Sequence, residues 1–401
     1  MSLLKNCRIC FEKKLIELID LGNQPWCNNF LKKDEIGKEK FYPLKVVLCE
    51  NCKISQLNYT VPKEVMFSDH TYLSGVTRSL SKHFENLRDE IIDKFNITSK
   101  KKILDLGSND GTFLKHFKNI GWHTLGVEPS KRVSEIANQN NIKTINKFFN
   151  FEISEEINEK FDFINASGVF FHLEELHSFT KGVRNLLSED GVFIVQFLYM
   201  KSIMENIAFD QIYHEHLLYY NLSTLNNLLK QYDLEIFDAK LHKIHGGQMT
   251  AYIGKKNKHK KTQQLEDYEK NELIEKVNEF ETYMIFKKEV ELLKIRNQEF
   301  INNSLSQNKV IYGMGAPAKG NTLLNYFEFD KTQISKLIEL NPLRKNLYSP
   351  GSHIPIELEN ELKELPDIYY VLAWNFKEEI LNKNKNLIEK GVEFYFPIKN
   401  K

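Results

Sequence analysis

Between Lys102 and Phe197 the chain alternates short, continuously apolar runs with stretches whose apolar residues recur at helical spacing. Lys102–Leu106 (KILDL) reads as a strand and Gly107–Gly111 as a polar, glycine-bounded turn. The residues after it read as a helix with Phe113, Leu114 and Phe117 on one face. His123–Val127, Phe161–Ala166 and Gly191–Phe197 read as further strands. Strands and helices alternating at this spacing predict a parallel, doubly wound sheet. Lys255–Lys261 (KKNKHKK) reads as a solvated break. From Gln263 to about Ser306 there is neither Gly nor Pro, and one or two long helices are expected. After Lys309 the alternation resumes, with strands expected at Val310–Tyr312, Leu337–Glu339, Ile368–Leu372 and Val392–Phe396. The fold class is therefore α/β, with two doubly wound domains in tandem.

At 401 residues the chain is long enough for two or three domains, each with its own core. Its 55 Lys and Arg against 54 Asp and Glu leave a formal charge of +1, which argues against a strongly basic nucleic-acid binder. No apolar run approaches the roughly 18 residues that span a bilayer. Met1–Cys10 lacks the apolar segment of a secretory signal. A soluble, cytoplasmic protein without a membrane partner is the expectation.

All five cysteines lie in the first 52 residues, at Cys7, Cys10, Cys27, Cys49 and Cys52. Cys7-Arg8-Ile9-Cys10 and Cys49-Glu50-Asn51-Cys52 each put two thiols on a tight knuckle, as tetrahedral zinc requires. The long interval between them calls for an inserted hairpin. Two redox dithiols would be the other reading, but neither pair has a thioredoxin-like βαβ context. Four thiolates fill the shell, so the zinc site should be structural. Cys27, beside Trp26, reads as a buried apolar residue outside that site.

The segment Ile103–Leu114 (ILDLGSNDGTFL) is a strand, a glycine turn and a helix start, and Gly126-Val127-Glu128-Pro129-Ser130 follows at the end of the next strand. An acidic residue there is placed to take ribose hydroxyls. The full G-x-G-x-x-G phosphate fingerprint is missing, and Asp105 and the GSNDG turn would repel pyrophosphate. They suit a cationic methionyl group, which points to S-adenosylmethionine held at Asp105, Gly107, Asn109, Asp110, Gly111, Glu128 and Pro129. Asp105 and Asp110 could instead be turn and cap residues.

At Phe209–Tyr220 (FDQIYHEHLLYY), Tyr213, His214, Glu215 and His216 put four polar side chains in a row after a sheet strand. Packing alone does not ask for this. A histidine suits a base near neutral pH, a tyrosine can donate to an oxyanion, and a glutamate can orient an imidazole. Along nearly its whole length the sequence resembles the three-domain sugar C-methyltransferases that act on nucleotide-linked 4-keto-deoxysugars. The matching pieces are the two C-x-x-C pairs, ILDLGSNDGTFL, GVEPS, FDQIYHEHLLYYNLSTL and His245-Gly246-Gly247. In the C-terminal region they are YGMGAPAKGNTLLNY, PGSHIPI and LPDIYYVLAWN.

The resemblance implies a zinc-binding domain (1–67), an S-adenosylmethionine-dependent methyltransferase domain (68–254), a helical connector (255–308) and a Rossmann-like nucleotide-sugar-binding domain (309–401). It also implies that Tyr213, Glu215 and His216 act in proton abstraction, with His172 and Tyr72 at active-site positions. Substrate contacts are expected at His245 and Gly247. The glycine loop Gly313–Gly320 (GMGAPAKG) leads into a helix, and its backbone N–H groups with Lys319 form a candidate anion site. Gly315, Lys319 and Asn321 are accordingly expected to touch the nucleotide or diphosphate. The activity implied is abstraction of the proton next to the C4 ketone, at C3, followed by attack of the enolate on the donor methyl. His216 is the expected base, with Tyr213 beside it as relay or alternate base. Transfer to a sugar nitrogen or oxygen stays open, as does, more remotely, a zinc-ribbon nucleic-acid modifier. The expected partner is a small-molecule nucleotide sugar, with no nucleic acid and no obligate protein partner.

Overall fold

The computed structural model of the chain describes residues 2–67, 78–242 and 246–398. The continuously apolar runs become the centre of a seven-stranded sheet. Its spatial order is Leu234–His242, Gln248–Lys255, Leu187–Leu198, Phe161–Ser167, Lys102–Leu106, His123–Val127 and Thr144–Ile145. The five strands from Leu187–Leu198 to Thr144–Ile145 are parallel, and the first two form an antiparallel hairpin on the edge. Helices cover both faces of the parallel part, which is why Ile103, Leu104, Ile164 and Ile194 can all be apolar and inaccessible. On one side Phe113, Phe117 and Trp122 stack in edge contacts with ring centres 5.0 Å apart, and Trp122 reaches Phe163.

A second sheet of five parallel strands has the order Ile356–Leu358, Leu337–Glu339, Ile311–Met314, Ile368–Val371 and Glu393–Tyr395. Both sheets reverse strand order beside their first strand, which leaves a crevice at its carboxyl end. The α/β class with a central methyltransferase-type sheet and a C-terminal Rossmann-like sheet is therefore realised.

The N-terminal unit is an antiparallel sheet built on the ribbon Leu15–Pro25 and Phe41–Cys49, the hairpin required between the cysteine pairs. Ser55–Leu57 extends it, and Leu218–Tyr219, which directly follows the Tyr213–His216 run, closes its edge. The sheet thus borrows a strand from far along the chain.

Gln263–Ile274 and Phe280–Ser306 are the long helices expected between the sheets. They are more than a spacer. Tyr283 Oη donates to Ser55 Oγ of the N-terminal sheet, and Asn297 accepts from Tyr370 Oη of the C-terminal one. Lys255 differs from the expectation of a solvated run. It ends a buried strand, and its amine pairs with Glu189 at 2.9 Å.

Glu272, 2% exposed, joins the connector to the central unit. Its Oε1 accepts from Tyr199 Oη (3.0 Å) and Leu222 N–H (2.6 Å), and its Oε2 from Ser223 N–H and Oγ. One carboxylate therefore caps the helix Leu222–Leu229 and satisfies a buried phenol. Glu272→Ala should lower the unfolding free energy by about 2–3 kcal/mol, because these donors stay buried without an acceptor. Glu272→Gln, which keeps an acceptor oxygen, should lose less, as chemical denaturation of the two variants will measure.

Candidate active site

At the carboxyl end of Lys102–Leu106 the chain turns through Gly107, whose φ is +75°. Its N–H donates to Val127 O at 2.8 Å, and a Cβ there would lie 2.5 Å from Val169 Cγ2. Only glycine fits this position. Gly111, also at positive φ, opens the helix Thr112–Lys118. Asp110 accepts from Thr112 N–H and Oγ1, so its carboxylate caps that helix. Glu128 holds the loop from the neighbouring strand: Oε2 accepts from Asn109 N–H (3.0 Å) and Oε1 from Ser130 N–H (2.8 Å). Burial raises its carboxyl above the ordinary value while these two donors counter it.

Asp105 is buried and accepts from Asn165 Nδ2 at 2.7 Å. Burial pushes it up to about 7, and the charge on Glu128 adds to that. A carboxyl so raised is stabilised in its ionised form by a cation, the charge that a methionyl sulfonium and ammonium would bring. A cavity of about 320 Å³ opens here. Gly107, Asn109, Glu128 and Pro129 line one part of it, Phe148 and Phe149 another, and His172 is also in its wall. An acidic, aromatic-walled crevice of this kind fits an adenosyl methionine.

His172 is the link to the polar run. Its ring centre lies 5.2 Å from that of His216, and the Tyr213 ring lies 3.7 Å from His216 on another side. His216 Nδ1 is 2.6 Å from Gln211 O, and His172 Nδ1 is 2.5 Å from Glu215 O. A carbonyl only accepts, so in both rings Nδ1 carries a proton. Burial drives the His216 pKa well below the ordinary histidine value, and the neighbouring His172 acts in the same direction. Burial likewise raises Tyr213 far above the usual phenol range, so it stays protonated. His214 is different: it points its Nε2 at Tyr42 O of the N-terminal sheet, and burial lowers it to about 4. Glu215, 5% exposed, receives Trp26 Nε1 and Asn28 Nδ2 on one oxygen.

The C-terminal glycine loop differs from its expected form. Gly315 N–H donates to Ile338 O and Ala316 N–H to Glu339 Oε2, so neither is offered to an anion. Glu339, at the end of the adjacent strand, accounts for this. Lys319 is not in solvent. Its Nζ lies 3.9 Å over the Trp374 ring and 3.7 Å from buried Asp210, and among the described residues it has no hydrogen-bond acceptor. Asn321 Nδ2 donates to Cys27 O. Gly247, at φ +106°, lies against Ser202, where a Cβ would come within 2.6 Å. Tyr72 and His245 lie outside the described residues. Sequence reasoning missed Asn165, Asp210, Trp374, Trp26 and Asn28. Asp210 stood inside the FDQIYHEH block and Trp26 beside a cysteine, but their partners lie more than 100 positions away.

The Sγ atoms of Cys7, Cys10, Cys49 and Cys52 all lie within 4.8 Å of one another, with Cys7–Cys52 at 3.5 Å and Cys10–Cys49 at 3.4 Å. A tetrahedron with Zn–S near 2.3 Å has sulfur–sulfur edges of roughly 3.8 Å, so the set fits zinc. Cys27 stands apart from it, buried beside the glycine loop's helix.

Three family models together span most of the chain. One described as "Putative zinc binding domain" matches residues 7–67, one described as "Methyltransferase domain" residues 79–239, and one described as "C-methyltransferase C-terminal domain" residues 243–399. The chain is an S-adenosylmethionine-dependent C-methyltransferase of the three-domain family. It is 28% identical over 398 residues to the C-methyltransferase NovU of Streptomyces niveus, covering 98% of this chain and 95% of that one. An uncharacterized methyltransferase of Alkaliphilus oremlandii (strain OhILAs) is 26% identical over 140 residues, 34% of this chain and 61% of that protein. Among solved structures, an S-adenosylmethionine-dependent methyltransferase from Clostridium acetobutylicum ATCC 824 matches with a TM-score of 0.37 and 18% identity, over 44% of this chain and 92% of that one. Among the described residues, no helix is long and apolar enough to cross a membrane.

The C-methyltransferase should carry one zinc per chain. Chelation should unfold the N-terminal sheet first, because metal binding there is part of its folding free energy. Metal analysis should find zinc lost in Cys49→Ser and retained in Cys27→Ser.

Proposed function

We propose that this C-methyltransferase methylates the carbon next to the ketone, at C3, of a nucleotide-linked 4-keto-deoxysugar in the cytoplasm. The observation that carries the reading is the pair of imidazoles, His216 and His172. Each has its Nδ1 fixed by a carbonyl, burial keeps His216 neutral, and His172 carries the pair to the wall of the cavity that Glu128 also lines. Transfer to a nitrogen or oxygen nucleophile needs no enolate, so it would not require His216 and Tyr213 together. Similarity to a C-methyltransferase over almost the whole chain supports the same choice.

In this reading Asp105, Gly107, Asn109, Gly111, Glu128 and Pro129 hold the donor, with Asp110 shaping the loop. When bound, S-adenosylmethionine supplies an electrophilic methyl: a C–C bond forms to the substrate carbanion as the S–C bond breaks. The ketone at C4 acidifies the C3 proton. His216 Nε2 takes that proton, and the electron pair moves onto the carbonyl oxygen. Tyr213, kept protonated by burial, is placed to donate to the developing enolate or to relay the proton. His172 and Tyr72 hold the sugar or polarise its carbonyl, and Glu215 orients the site. Lys319, held beside Asp210 and Trp374, would meet the diphosphate, and His245, Gly247, Gly315 and Asn321 are the other candidate substrate contacts.

The His216 shift fixes the sign of the pH dependence. With its pKa below the ordinary 6.5, the ring stays neutral and basic through mildly acidic solution, and turnover falls only as pH drops through that lowered value. Below pH 6.5 the unfolded chain also binds a proton that the buried ring refuses, so stability declines in the same direction. In D₂O, with a panel of dTDP- and GDP-linked 4-keto-deoxysugars and no methyl donor, the enzyme should exchange the C3 proton. Adding donor should give a product one methyl heavier. His216→Asn should reduce both rates roughly a hundredfold or more. Methylation without any exchange would favour the nitrogen or oxygen acceptor.

A further inference from the structure

Glu215 is the buried carboxylate of the polar run, and its surroundings contain an imbalance. Burial pushes its carboxyl up, and only Trp26 and Asn28 pull it back down. No Lys or Arg among the described residues contributes. A carboxylate removed from water without a cation is held only by well-aimed donors. Trp26 Nε1 reaches Oε1 at 2.7 Å and Asn28 Nδ2 reaches the same oxygen at 2.6 Å. No described residue donates to Oε2.

Both donors come from the turn that follows the strand Leu15–Pro25, in the domain that also places Lys63 in the wall of the cofactor crevice. That turn is itself fixed on several sides. Trp26 packs on the cluster of Tyr42, Val61 and Met66. Cys27 O takes Asn321 Nδ2, and the Phe30 ring lies under the Arg344 guanidinium at 4.4 Å. The titratable groups around Glu215 are Tyr213, the buried Cys27 thiol, His172 on its backbone carbonyl, and its chain neighbours His214 and His216. None of them brings a fixed positive charge.

We propose that Trp26 and Asn28 are positioning residues of the methyl-transfer site, which hold the Glu215 carboxylate ionised and in one orientation from the zinc-binding domain. This rests on the reading that Glu215 takes part in the reaction. It gives that domain a task in turnover beyond packing. Trp26 orients by a single ring N–H, and Asn28 by an amide that its isosteric acid would turn into a repulsion.

The test uses the full-length, zinc-loaded chain with ¹³C-labelled glutamate carboxyls, the Glu215 signal being the one lost in Glu215→Gln. Trp26→Phe keeps the ring and removes the N–H, and Asn28→Ala removes the other donor. In each, the Glu215 carboxyl should titrate about one pH unit higher, and higher still in Asn28→Asp. With a dTDP-linked 4-keto-6-deoxysugar, kcat should fall about tenfold or more, while KM for S-adenosylmethionine stays within about twofold. Trp26→His, which restores a ring N–H, should recover part of kcat at unchanged zinc content. A Glu215 titration and a kcat unmoved in both Trp26→Phe and Asn28→Ala would overturn the proposal. If the wild-type enzyme turns over no 4-keto sugar, the substrate reading fails, and the carboxyl titration still decides whether these two residues hold the charge.

Discussion

Burying the run Asp210–His216 is the constraint on which the three-unit architecture turns. A polar side chain withdrawn from water without a partner costs several kilocalories per mole, and here five are withdrawn within seven positions. No single unit supplies the partners. The N-terminal ribbon provides Trp26 and Asn28 for Glu215 and the Tyr42 carbonyl for His214. The local turn gives Gln211 O to His216, and the C-terminal unit gives Trp374 Nε1 to Asp210 Oδ2 at 2.6 Å. The run is therefore stable only where all three units meet, so the docking of the domains and the assembly of the candidate site are one event.

The two crevices have a common construction. In each, the glycine after the first strand donates to the last residue before an acidic side chain: Gly107 to Val127 O, and Gly315 to Ile338 O, both at 2.8 Å. In each, the acid then takes the next free N–H of the loop, Asn109 for Glu128 and Ala316 for Glu339. They diverge in what else reaches the carboxylate. Glu339 also accepts from Leu340 and Asn341 and is paired with Arg344, which in turn bonds Ala316 O. Among the described residues Glu128 has no such cation, and it borders an open cavity. The same loop geometry thus makes an acceptor site in one unit and a saturated strut in the other. In the C-terminal unit the buried cation is Lys319 instead, paired with Asp210 and lying over the Trp374 ring.

Much of the fold was legible because its signals are local. Continuous apolar runs such as Lys102–Leu106 mark strands covered on both faces, and the cysteine pairs carry their geometry in four residues each. The donor loop was legible for the same reason, since Gly107 and Glu128 act through backbone contacts about 20 positions apart. What escaped is non-local. Nothing in Leu218–Tyr219 announces that it completes a sheet begun at Leu15, and nothing near Trp26 announces a carboxylate 189 positions away. Lys319 was legible only in part. In a glycine loop its charge reads as an anion-facing group with backbone support, whereas Glu339 occupies that support and Trp374 and Asp210 hold the amine. Side chains that close an interface between units leave no periodicity in the sequence.

The position of the four cysteines then acquires a mechanical sense. Leu15 pairs with Cys49 at one end of the ribbon and Pro25 with Phe41 at the other, so the zinc knuckles lie at the start of an 11-residue strand whose far end leads into Trp26. The partner strand spans the same two ends in nine residues, so at about 3.3 Å per residue they are roughly 26 Å apart. A ribbon is stiff along its length only while both strands stay in register, and register in an isolated two-stranded ribbon is weakly held. Cys7 and Cys10 precede the first strand, and Cys49 and Cys52 end the second. Closing them on one ion pins the register at that end, while Ser55–Leu57 and the contacts of Trp26 and Asn28 pin it along the edge and at the tip. A metal with no open coordination position can in this way govern where a distant carboxylate is held.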